Sequence, residues 1–112
     1  MIKLRKISEA ALPKYRAANW EEYKCGEDNG DISLPIEYEL TGEPIEKPEE
    51  GKSFTVKRDT RNGVACLGFF MTSKIKKIRE ENGIKLLETE NSVYLVEEVW
   101  IKEIFFRPEN LL

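Results

Sequence analysis

Histidine is absent from the 112 residues of the chain, which excludes Ser-His-Asp and Cys-His nucleophile chemistry and the common imidazole metal sites. It also removes the one side chain whose unperturbed titration falls near neutrality. Cysteine occurs twice, at Cys25 and Cys66, outside any Cys-x-x-Cys pairing, so neither a disulfide framework nor a zinc site is indicated. No apolar run approaches the roughly 18–20 residues of a membrane span. The opening Met1-Ile2-Lys3-Leu4-Arg5-Lys6-Ile7 is basic but lacks the apolar stretch of a secretion signal. A cytoplasmic protein without membrane attachment is expected. What is present, 40% apolar and 35% charged positions, suits one modest core, and residues 1–112 are expected to form a single domain.

The net charge of −3 hides a blocky distribution. Residues 1–20 carry +4, 21–51 carry −9, 52–79 carry +7 and 80–112 carry −5. Blocks alternating in sign are either satisfied internally, acidic segments lying against basic ones, or make a two-faced surface whose basic side meets an anionic partner.

The pattern predicts a mainly β (α+β) fold: a small, strongly bent antiparallel sheet or partly open barrel of five or six strands, with one N-terminal helix. The helix is placed at 8–24, with Ser8 as cap, Pro13 near the first turn, and Tyr15 and Ala18 at helical spacing. Asn29-Gly30 marks a turn rich in acids, but a calcium loop fails there. With Gly30 as the sharp-turn position, Cys25 becomes the first ligand and Ile36 the twelfth, which supplies no carboxylate. The β core is placed at 32–106. Ile36, Tyr38 and Leu40 alternate with Glu37, Glu39 and Thr41; Phe54, Val56 and Arg58 alternate with Thr55, Lys57 and Asp59. Gly51-Lys52-Ser53 resembles the end of a phosphate loop, yet Glu46 stands where the first glycine is needed and Pro48 removes an amide donor.

Asn62-Gly63 and Asn82-Gly83 predict two tight hairpins. Val64–Thr72 is apolar on both faces, which predicts a strand that is central or lies in a closed sheet, with a bulge or sharp bend at Gly68. Residues 74–81 are left as strand or helical turn. Ser92–Ile101 reads as a buried strand, and Ile104-Phe105-Phe106 as a last edge strand or a segment across a barrel mouth.

Ser33-Leu34-Pro35-Ile36 with Tyr38 and Gly42, Arg58-x-x-Arg61-Asn62-Gly63-Val64, Gly68-x-Phe70-x-Thr72-Ser73 and Thr89-x-Asn91-Ser92-x-Tyr94 together resemble a family of small uncharacterised bacterial proteins. The similarity covers about residues 32–96 and implies a compact domain without implying any chemistry. The same residues have turn-forming roles of their own: Asn and Gly permit positive φ, and Thr72-Ser73 and Asn91-Ser92 can bond their own backbone. Arg58 and Arg61 are different, because a tight turn does not need guanidinium groups. They either pair with Glu37 and Glu39 or form an anion fork.

Three function classes follow. The first, and the preferred one, is a non-catalytic protein-interaction or self-association module. It would use the acidic face or an apolar edge near the C-terminus, with Phe105 and Phe106 as interface residues. The alternative is a small β-barrel binding nucleic acid or another polyanion through the basic 52–79 segment. Its ligand-binding residues would be Arg58, Arg61, Lys74, Lys76 and Lys77, with Phe69 as the ring expected to emerge. Catalysis comes last: Cys66 lies on an apolar strand, and Glu97 and Glu98 point to opposite sides of one. No metal, cofactor or catalytic residue is assigned.

Overall fold

The computed structural model describes residues 1–23 and 32–99. Its strands are β1 (Ile2–Glu9), β2 (Arg16–Ala17), β3 (Ile32–Ser33), β4 (Glu39–Pro44), β5 (Ser53–Arg61), β6 (Val64–Glu81), β7 (Ile84–Thr89) and β8 (Ser92–Glu98). Six of them form an antiparallel ring, β1-β4-β5-β6-β7-β8, in which β8 pairs back onto β1 and closes the barrel. The short β2 and β3 make a separate parallel pair.

The core is built by alternation. Ile2 and Leu4 of β1, Leu40 of β4, Phe54 and Val56 of β5, Phe70 and Ile75 of β6, Leu87 of β7, and Tyr94 and Val96 of β8 point inward, joined by Tyr38 just ahead of β4. A chain of rings runs through it: Tyr23 meets Tyr38 edge-on at 5.8 Å, Tyr38 stacks on Phe70 at 5.7 Å, and Phe70 meets Tyr94 edge-on at 6.0 Å. These separations are those of favourable aromatic pairs.

Both predicted hairpins are present. Asn62 and Gly63 have φ of 50° and 82°, and Asn82 and Gly83 have 55° and 81°, the paired positive angles of a two-residue turn matched to strand twist. Residues 74–81 are strand. The ladder registers shift by one residue near Gly68, at the bend expected there, and again between Phe54's neighbours Ser53 and Thr55.

The N-terminal helix is a correction. No helix occurs among the described residues; Ser8 and Glu9 complete β1 by pairing with Val93 and Ser92. Ala10 then donates its amide to the Asn91 carbonyl (3.1 Å), and Asn19 closes a turn by accepting the Glu22 amide on its side chain at 2.8 Å. A helix of two or three turns is marginal unless tertiary packing supports it, and here the ladder has already taken its first residues. The stretch 64–72 lies in β6, between β5 and the start of β7 in the ring, and within it Phe70 and Thr72 are buried while Val64, Leu67, Phe69 and Met71 are exposed. The acidic turn at 24–31, with Cys25, and the segment carrying Phe105 and Phe106 lie outside the described residues.

Gly42 shows where the ring admits no side chain. A Cβ there would sit 2.2 Å from the Lys57 carbonyl oxygen and 3.0 Å from the Arg58 Cα, at the register shift between β4 and β5. Both obstacles are backbone, so neither can swing aside. Gly42→Ala is expected to destabilise the protein by about 1–3 kcal/mol through overpacking. Equilibrium urea unfolding checks this, and a midpoint equal to that of the parent contradicts it.

Candidate functional site

Pro44, Val56 and Phe70 are consecutive partners across β4, β5 and β6, and Val56 and Phe70 are buried. The rows on either side must therefore point outward. One row is Glu43, Lys57 and Phe69. The next is Ile45, Thr55 and Met71, since the Ile45 amide bonds the Thr55 carbonyl at 3.0 Å and Thr55 is the partner of Met71. With Leu67 two residues before Phe69, these rows make a platform whose large apolar members are open to solvent. Ile45 is 55% exposed, Leu67 79%, Phe69 68% and Met71 64%.

Along β6 the platform runs into cations. Thr72 and Ile75 are buried, while Lys74, Lys76, Lys77 and Arg79 are exposed. The register shift opposite Ser53–Thr55 places an extra residue on β6 between Met71 and Lys74. It changes the phase of the strand, so that Lys74 and Lys76 follow Leu67, Phe69 and Met71 on the outer face. Among the described residues, Lys57, Lys74, Lys76 and Lys77 make no ion pair. Glu43, the acid of the platform, is held by the Met1 amine at 3.2 Å.

The two arginines grouped with those lysines from sequence are engaged elsewhere. Arg58 donates from Nε to the Cys66 carbonyl and from Nη1 to the Tyr38 hydroxyl, both at 2.9 Å. Arg61 donates from Nη1 to the Tyr23 hydroxyl at 3.3 Å and lies 5.4 Å from the centre of that ring. Their guanidinium groups fasten the aromatic chain at the barrel end. Glu37 and Glu39 pair with Arg5 and Lys3, each at 3.9 Å. The structure thus separates the six sequence candidates into Lys74, Lys76, Lys77 and Phe69 on one outer surface, and Arg58 and Arg61 turned toward tyrosines.

Sequence reasoning missed Lys6. It occupies an inward position of β1, fully buried, with Nζ 2.9 Å from Glu9 Oε2 and 3.3 Å from Ser33 Oγ, and donates a further bond to the Leu34 carbonyl. Burial pushes the ammonium pKa down, and the hydrogen bond and charge of Glu9 oppose that shift. The signal was the alternation Ile2, Leu4, Lys6 against Lys3, Arg5, Ile7, in which a lysine holds a core phase. Ile45 and Met71 were missed as surface residues for a different reason: alternation tells which residues share a face and leaves open whether that face is covered.

A depression across β8, β1 and β4 is lined by Lys3, Arg5, Glu39, Leu95 and Glu97, a surface of mixed charge. Among the described residues no group of three or more acidic or cysteine side chains is placed to hold a metal ion. Nor is any helix long and apolar enough to cross a membrane. Comparison with protein-family models, with curated proteins and with solved structures returned no match.

Proposed function

We propose that this chain is a non-catalytic protein-interaction module that docks its partner on the outer face of β4, β5 and β6 around Phe69. The observation that supports this reading is that Leu67, Phe69 and Met71 stand along one strand, with Ile45 in the row of Met71 across Thr55, each more than half exposed. Scattered exposed apolar residues are normal on any protein, whereas a contiguous group rimmed by polar residues is the surface signature of an interaction site. This reading rests on β6, while the C-terminal edge with Phe105 and Phe106 expected from sequence lies outside the described residues. A cytoplasmic setting remains the expectation from the sequence.

A photoreactive benzoylphenylalanine in place of Phe69 is expected to give a discrete protein adduct on irradiation of cells that make the protein. The same group in place of Glu97, on the charged outer face of β8, is expected to give none. Met71→Glu should abolish the adduct while changing stability by no more than about 0.5 kcal/mol, as for other exposed positions. Identical adduct patterns from positions 69 and 97 would count against the proposal.

Polyanion binding is the second reading. It is favoured by Lys57 directly opposite Phe69 and by the exposed cations continuing along β6, because rings flanked by cations bind single-stranded nucleic acid by stacking and charge. It ranks second because Ile45, Leu67 and Met71 offer no plane on which a base can stack. Labelled oligothymidylate, titrated at low and moderate salt, separates the two. Binding that weakens steeply with salt would promote this reading, and no binding at micromolar protein removes it.

A further inference from the structure

We infer that the partner is an extended peptide segment, apolar at alternate positions and acidic at one end, which adds as a new strand to the free edge of β6 over Val64–Thr72. The inference rests on the interaction reading above and specifies the chemistry of the partner.

Three observations converge on it. The first concerns the backbone. β5 covers β6 from Val64 to Lys74, and β7 takes the strand over only from Ile75 onward. The turn between β7 and β8 closes the gap near Ser73, where the Asn91 amide bonds Ser73 Oγ at 3.2 Å and the Glu90 amide bonds the Lys74 carbonyl at 3.0 Å. From Val64 to Thr72 the second edge therefore has no strand beside it among the described residues. Proteins usually blunt such an edge with charge or proline. Val64-Ala65-Cys66-Leu67-Gly68-Phe69-Phe70-Met71-Thr72 contains neither, and its one irregularity is the bend at Gly68.

The second observation concerns side chains. Leu67, Phe69 and Met71 stand in alternation along that edge, so a strand laid beside it would set its own alternate side chains against them. The third concerns charge. Beyond Met71 the outer face carries Lys74 and Lys76, with Lys77 next to them and Lys57 alongside Phe69, and none has a carboxylate partner among the described residues. Of the acids nearby, Glu43 is held by the Met1 amine, while Glu88 opposite Lys77 and Glu90 beside Lys74 form no ion pair with them. A second copy of β6 would bring the same apolar stretch with four more cations and, between residues 64 and 79, no acid. A segment from another protein that carries acids at the end beside Lys74–Lys77 satisfies both halves of the strand. Main-chain hydrogen bonds would supply affinity, and the alternating apolar and acidic positions specificity.

The test is a selection of random twelve-residue peptides displayed on phage against the full chain, followed by fluorescence anisotropy with the synthetic winners. Enriched sequences are expected to alternate apolar residues and to end in two or more acids. N-methylation of every second backbone nitrogen should weaken binding at least tenfold in one phase and leave it unchanged in the other, since only one set of amides faces β6. Lys74→Glu with Lys76→Glu should weaken binding at least fivefold while circular dichroism stays that of the parent. No enrichment, a basic consensus, or equal effects of the two methylation phases would overturn the inference. A site-specific adduct from position 69 surviving any of those results would leave the interaction reading standing. Loss of the adduct as well would remove both.

Discussion

Lys6→Ala is expected to lower the stability of the protein by about 3 kcal/mol, at the lower end of the cost of breaking a buried ion pair. The ammonium is fully buried and holds Glu9, Ser33 and the Leu34 carbonyl together. Its removal therefore takes away three polar contacts and leaves a void at an inward position of β1. The lower end applies because the Glu9 side chain keeps 24% of its exposure and can recover water. Lys6→Met refills the volume but still leaves Glu9 without its partner, so its loss should be about 2 kcal/mol; only replacement of both partners is often close to neutral. Urea unfolding of the three proteins measures both values. An alanine variant within about 0.5 kcal/mol of the parent would mean that the pair is solvated in solution.

The second large effect is alkaline. Burial raises the Tyr38 hydroxyl pKa to about 12, against the smaller opposing pull of the Arg58 hydrogen bond. Burial raises that of Tyr94 further. In the unfolded chain both ionise near pH 10. Between pH 10 and 12 the folded state thus holds protons that the unfolded state has released, so stability falls as pH rises through that window. For Tyr38 alone the full fall is about 2.7 kcal/mol, two pKa units at about 1.4 kcal/mol each. Lys6 acts with the opposite sign and at lower pH. Its folded pKa is depressed below the ordinary lysine value of about 10.4, so in that interval the unfolded chain holds the extra proton and stability rises with pH. Thermal unfolding from pH 8 to 12 should therefore show a midpoint that drops above pH 10, and the drop should be shallower in Tyr38→Phe. A flat profile to pH 12 would contradict the burial of both rings.

Much of the barrel was legible in the residues. Asn62-Gly63 and Asn82-Gly83 place two hairpins because few other pairs tolerate positive φ at both positions. Phe54, Val56 and Arg58 kept their phase, and Gly68 marked a bend. β1 was not legible: Lys6 sits where an apolar residue belongs and Ile7, partly exposed, where a polar one does, so the alternation dissolves after Leu4. The spacing of Tyr15 and Ala18 suggests a helix, but it belongs to an irregular segment that buries Ala10 and Ala18 without a helical turn. The platform was hidden for a related reason. A strand apolar on both faces is the same string whether its outer face is covered by the fold or awaits another molecule. Arg58 and Arg61 stand out as residues a turn does not require, and each donates to a tyrosine hydroxyl, a partner that charge counting does not suggest.

The one-residue irregularity between Met71 and Lys74 works as a phase shifter. Without Ser73, Phe54 would face Thr72 and Ser53 would face Lys74 in one unbroken ladder, so the shortened strand would keep Ile75 inward and Lys74 and Lys76 outward. What the irregularity absorbs is length: a chain one residue shorter at this point should close the same ring with a straight ladder in place of the bulge.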